Sequence, residues 1–212
     1  MKLPLLFKRR CNNFLMLKSF MLLWMTLVVT FFIPNFCWAG AQQQEALSDS
    51  VRTGLHHAVS DVAAPEFLNA VEGQHWLRTM SPRLQKYMPD QLAGEDFLKT
   101  VHYEAVRAGL DPQLVLALIQ VESSFRKYAV SSAGARGFMQ VMPFWLESIG
   151  LPQQNLFHLR TNLRFGCTIL RHYLDIEHGN LNRALGRYNG SLNQQNYANS
   201  VISAWHNNWA YR

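Results

Sequence analysis

The chain has 212 residues, 49% of them hydrophobic and 16% charged, with 20 Lys+Arg against 14 Asp+Glu for a formal charge of +6. That composition suits a domain with a real core and excludes a disordered chain. The charge is uneven: five of the basic residues precede residue 40 and no acid precedes Glu45, so the remainder carries 15 against 14, near +1, and gives no support to nucleic-acid binding.

Residues 1–39 read as an export signal. Lys2, Lys8, Arg9, Arg10 and Lys18 supply the positive region, and FMLLWMTLVVTFFI, Phe20–Ile33, supplies an apolar core that Pro34 ends. The core is shorter than the about 20 apolar residues a membrane span needs. CWA before Gly40 offers small residues for cleavage, AGA is an alternative, and Met16 is an alternative start; an uncleaved anchor is the competing reading. Cys37 follows PNF, which is not a lipoprotein box, and it leaves with Cys11, so only Cys167 remains and no internal disulfide is expected. Cys167 keeps helical spacing with Leu163 and Leu170 and is expected as a buried structural thiol.

Residues 40–64 are polar and small and read as a linker; together with two short helical patterns they form an expected extension over 40–95. The first pattern carries Phe67, Leu68, Val71, Trp76 and Leu77. The second is expected to open at Ser81 and Pro82 and to stop at Pro89. From Asp96 to the end a single helical domain is expected. Phe97, Val101 and Ala105 share a face and Gly109 closes that helix. Asp111-Pro112 starts the next, LVLALIQVESSF, and a glycine-bearing loop follows. Then come a short helix ending at Gly150, a long one over TNLRFGCTILRHYLDIEHG, and two more within NLNRALGRYNGS and QNYANSVISAWHNNW. No run alternates as a strand does, so the class is all-α with short connections. The eight histidines show no zinc spacing, and no metal or cofactor is expected.

Glu122 is the residue that asks for an explanation. It lies three residues after Ile119 and seven after Val115, on one helical face, with Leu114, Leu118, Val121 and Phe125 as a stripe beside it. At a helix C-terminus among apolar neighbours, its carboxylate is disfavoured and its pKa raised, as a general acid requires. A glutamate pointing into solvent from a helix end is the other reading, and on pattern alone the two stand level. The next segment, AVSSAGARGFMQVMP, has Gly134 and Gly137 for close backbone approach, followed by Met139 and Gln140. RYNGS brings Tyr188 and Asn189. Amides and tyrosines suit sugar hydroxyls and acetamido groups.

Taken in order, these motifs resemble the catalytic domain of the soluble lytic transglycosylase family, which has a goose-lysozyme-like all-α fold. ALIQVESSF resembles its E-S-x-F motif, and SSAGARGFMQVMP its S-x-x-G-A-x-G-L-M-Q-x-M-P motif with Phe138 for leucine. NLFHLRTNLRFGCTIL resembles the segment where an asparagine and a glycine, here Asn162 and Gly166, open a long helix. ALGRYNGS resembles A-x-A-A-Y-N-A-G. The resemblance implies non-hydrolytic cleavage of the β-1,4 bond between N-acetylmuramic acid and N-acetylglucosamine in peptidoglycan, leaving a 1,6-anhydro end through one acid/base carboxyl. It implies that Glu122 is that group and that Ser131 contacts the acetamido group or the catalytic carboxyl. Gly137, Met139 and Gln140 would line the groove, Tyr188 and Asn189 would face Glu122, and Tyr197 would be a further groove tyrosine. Core packing is the plain alternative for Met139 and Tyr197. Arg187 and Ser191 depart from the family pattern, which predicts a different groove wall. The implied partner is the glycan strand, acted on by a periplasmic monomer, with residues 40–95 open to a cell-envelope protein. A lysozyme-type hydrolase and a non-catalytic peptidoglycan-binding protein are the rival readings.

Overall fold

The computed structural model describes residues 42–60, 70–151 and 153–211. The expected export signal and residues 61–69 of the extension, including Phe67 and Leu68, lie outside the described residues. The described elements are α1 (Asp49–Ser60), α2 (Ala70–Leu84), α3 (Gln91–Arg107), α4 (Pro112–Ser123), α5 (Phe144–Ile149), α6 (Leu159–Ile176), α7 (Leu181–Asn189) and α8 (Gln195–Ala204), with a π-helical turn over Trp205–Trp209. Among the described residues there is no β-strand, only two isolated bridges, Val130 with Arg136 and Arg136 with Val141. The all-α class is as expected. No described helix is long and apolar enough to cross a membrane.

The fold is organised around α4. Asp111 caps it, accepting from the backbone N–H groups of Gln113 and Leu114, and Pro112 occupies its first turn. Every residue from Leu114 to Ile119 is buried, so this helix is apolar on all sides and runs through the interior. Burying each of its Leu, Val and Ile side chains contributes roughly 1.5–3 kcal/mol against exposure. α8 and the π-turn pack on α4, α3 packs on α4 and α6, and α6 and α8 flank α7. Phe97, Phe125, Phe138 and Trp209 join in edge and tilted ring contacts beneath the C-terminal end of α4.

One ionic cluster lies inside the seam between α3 and α6. Glu104 is fully buried and takes Arg164 through two guanidinium nitrogens (2.9 and 3.2 Å) and Arg107 Nε at 3.1 Å. Such a pair is tolerated in the interior because both carboxylate oxygens are met.

The amino-terminal half differs from expectation in two places. Residues expected as linker form α1, which packs on α5 and α6 and buries Leu55 and Val59. With only two apolar anchors in twelve residues, its helicity follows from docking rather than from its own pattern. The two helical patterns before Met88 are one helix. Ser81 is not a cap but donates to the Leu77 carbonyl (2.8 Å), and Pro82 lies inside α2. Trp76, Leu77, Met80 and Leu84 are buried along one side of it, and that packing carries the helix through the proline. α3 begins at Gln91 rather than near Asp96, because Asp90 caps it by accepting from the Leu92 and Ala93 N–H groups.

Candidate active site

Glu122 ends α4 as a buried acid, only 3% exposed, which decides between the two sequence readings. Immediately beyond it the chain turns sharply: Ser124 and Phe125 both have positive φ, 50° and 62°, a pairing that non-glycine residues adopt only under tertiary constraint. The constraint is visible on both sides. Phe125 is packed into the aromatic cluster, and the Ser123 hydroxyl reaches the Phe138 carbonyl at 2.7 Å, tying the helix end to the glycine-bearing loop.

That loop is held by its own polar groups. Gly137 has φ +76°, and a Cβ there would sit 2.4 Å from Asn162 Nδ2 and 2.6 Å from the Leu156 carbonyl, so only glycine fits. Asn162, fully buried at the start of α6, accepts from the Met139 N–H (2.8 Å) and donates to the Arg136 and Leu156 carbonyls (2.8 Å each). Gln140, at φ 48°, turns its amide into the loop and donates to the Gly137 (2.8 Å) and Ala129 (3.1 Å) carbonyls. Ser131 accepts from the Ala135 N–H at 3.1 Å, closing the turn. Met139 is fully buried against Gly166, where a Cβ would lie 2.4 Å from its sulfur.

Two tyrosines approach from the other side. Tyr197 of α8 donates its hydroxyl to Glu122 Oε1. Tyr188 of α7 donates to the Met139 carbonyl at 2.7 Å and lies close enough to Glu122 to feel its charge. Asn189, also buried, donates to Ser191 Oγ at 3.0 Å. Burial raises the Glu122 pKa to about 8, with the Tyr197 hydrogen bond pulling the other way. Glu122 is therefore mostly protonated at neutral pH and gains a stabilising donor when it ionises, the two properties an acid that later acts as base requires.

Of the residues singled out from the sequence, Glu122, Tyr197, Tyr188 and Met139 are brought together, with Gly137 and Gln140 in the adjoining loop. The polar side chains of Ser131 and Gln140 bond within that loop. Asn162 emerges as its clamp; the asparagine stood in a matched motif, but spacing alone did not assign it three hydrogen bonds.

The profile of the transglycosylase SLT domain matches residues 99–206, just over half the chain. The chain belongs to that family. Its SLT segment covers everything from Glu104 to Tyr197 and leaves out α1 and α2. The chain is 36% identical over 99 residues to the transglycosylase of Enterobacteria phage PRD1, covering 47% of this chain and 36% of that protein. It is 37% identical over 87 residues to the membrane-bound lytic murein transglycosylase C of Haemophilus influenzae strain PittEE, covering 41% and 19%. It is 43% identical over 53 residues to the protein of the same name from Actinobacillus pleuropneumoniae serotype 5b, covering 25% and 14%. The chain thus spans little more than a third, or less, of the length of these relatives. No solved structure matches it.

Cys167 is fully buried, with its thiol pKa pushed up by burial and by Glu104, as suits a structural thiol. Among the described residues no group of His, Cys, Asp and Glu is arranged to hold a metal ion.

Proposed function

We propose that this SLT-family protein is a peptidoglycan lytic transglycosylase, acting as a periplasmic monomer on glycan strands, with residues 96–212 as the catalytic unit. Glu122 is its one acid/base. The observation that carries this reading is the protonated, buried Glu122 at the end of α4, held by Tyr197.

The chemistry runs in two proton transfers. Glu122 gives its proton to the glycosidic oxygen as the bond to muramoyl C1 breaks, leaving a carboxylate beside an oxocarbenium-like sugar. Tyr197 steadies that carboxylate. Glu122 then takes the proton from the muramoyl C6 hydroxyl as O6 bonds to C1, which restores the acid and leaves a 1,6-anhydro end. A hydrolytic glycosidase ordinarily needs a second carboxylate. The other five acids of the matched segment are otherwise engaged: Glu104 with Arg164 and Arg107, Asp111 at the α4 cap, Asp175 with Arg171, Glu177 with Arg183 and Arg187, and Glu147 exposed on α5.

The test is digestion of isolated sacculi with mass analysis of the released fragments. Anhydro-muropeptides that disappear in Glu122→Gln are expected. Reducing ends would identify a hydrolase, and binding without cleavage in both proteins a non-catalytic peptidoglycan-binding protein.

A further inference from the structure

The segment just before α1, residues 42–48, lies outside the SLT match, yet it reaches the site. Gln42 is 4% exposed. Its Oε1 accepts from Trp145 Nε1 at 2.9 Å and from the Met142 N–H at 3.3 Å. Its amide nitrogen lies against the Tyr188 hydroxyl without closing a full hydrogen bond and is left buried and unpaired. Tyr188 in turn donates to the Met139 carbonyl. Gln42 therefore holds the Met142 end of the Met139–Met142 segment directly and lies against Tyr188, which holds the Met139 end. Further along, Glu45 accepts from Arg187 Nη1 at 2.9 Å, beside Tyr188, and Arg187 also donates to Glu177. Leu47 packs on the core.

We infer that residues 42–47 form a strap that positions the catalytic carboxyl, with Gln42 as the positioning residue and the Glu45–Arg187 pair as its outer latch. The inference rests on the reading of Glu122 as the acid. An apolar side chain of the same size would fill this space without stranding an amide donor, which costs about 1–3 kcal/mol when buried unpaired. What glutamine adds is its acceptor, which fixes the Met142 backbone and the Trp145 indole at once. The link to Glu122 is short: Met139 follows Phe138, whose carbonyl takes the Ser123 hydroxyl next to Glu122. The titratable groups facing Glu122 are Tyr197 of α8 and Tyr188 of α7; the strap touches α7 through Arg187, and α8 packs on α7. Arg187, the departure from the family pattern noted in the sequence, is the residue that receives the strap.

The experiment compares the full chain with Gln42→Met, which keeps the volume and loses the acceptor, and with Glu45→Gln, which loosens the latch at a half-exposed position. The Glu122 carboxyl is titrated by carbon NMR, and kcat and KM are measured on glycan strands. Loosening the 139–142 segment admits water to Glu122, so its pKa falls in Gln42→Met and, by less, in Glu45→Gln. In the same variants kcat falls about tenfold and about twofold, respectively, with KM held, as small misplacements of reacting groups do. If Gln42→Met does not fold, Glu45→Gln decides. An unchanged Glu122 titration and an unchanged kcat in the folded variants overturn the inference, as does a drop in melting temperature with neither shift. A wild-type chain that releases no fragments refutes the proposed function instead, while the titration still decides the strap.

Discussion

Replacing Glu122 by glutamine isolates the free energy that the fold spends on holding this acid. The folded pKa is about 8 against an ordinary 4.5, and at about 1.4 kcal/mol per unit this amounts to about 5 kcal/mol. Because the folded value is the higher one, the penalty is absent below pH 4.5, where both states are protonated. It grows as pH rises towards 8, where the unfolded chain is ionised and the folded one must follow. The glutamine variant carries no such group, and its amide oxygen still accepts from Tyr197. Urea melts of both proteins at pH 5 and pH 8 test this, since every other titrating group cancels in the difference. The variant gains on the wild type across that interval by up to about 3.5 kcal/mol, the full value of about 5 kcal/mol being reached only above pH 8. Stability curves that run parallel from pH 5 to pH 8 would refute the argument, because they mean that Glu122 titrates as an ordinary exposed carboxyl.

Tyr197→Phe removes the donor that pulls the Glu122 pKa down, so the alkaline limb of the pH–rate profile moves to higher pH as kcat drops; a limb that stays or moves down contradicts the assigned hydrogen bond. Asn162→Ala deletes three hydrogen bonds and leaves the Met139 N–H and the Leu156 carbonyl unmet, the Arg136 carbonyl keeping the Val141 N–H, at a cost of about 3 kcal/mol by denaturant melts, with loss of activity as the loop slackens. Arg164→Met removes the guanidinium bonds to the buried Glu104 carboxylate and leaves it on Arg107, which costs about 3 kcal/mol, while the Glu122 titration stays where it was.

What could be read from the sequence, and what could not, follows from where the restraints come from. The placement of Glu122 was legible because Val115 and Ile119 share its face and because Ser123-Ser124 announce the helix end. Whether the face was buried was not, since α8 and the π-turn that cover it lie seventy and more residues away. The glycine loop was legible as a loop. The self-binding of Gln140 and Ser131 was not, because it depends on the left-handed backbone at Gln140 and, for Ser131, on the turn through Gly134. Tyr197, held open between groove and core by its sequence, is the group bonded to the acid. α1 was missed because DSVRTGLHHAVS has too few apolar positions to declare a face, and the break predicted at Pro82 was overridden by the buried row from Trp76 to Leu84. Gln42 gave no signal at all inside a run of glutamines.

The central claim is that one carboxyl both gives and takes the proton, so that water never enters the bond. Digestion of sacculi in heavy-oxygen water tests this directly. The account predicts muropeptides one water lighter than their reducing counterparts, with no heavy oxygen at C1 and none released by Glu122→Gln. Heavy oxygen at C1 of the cut ends would contradict it.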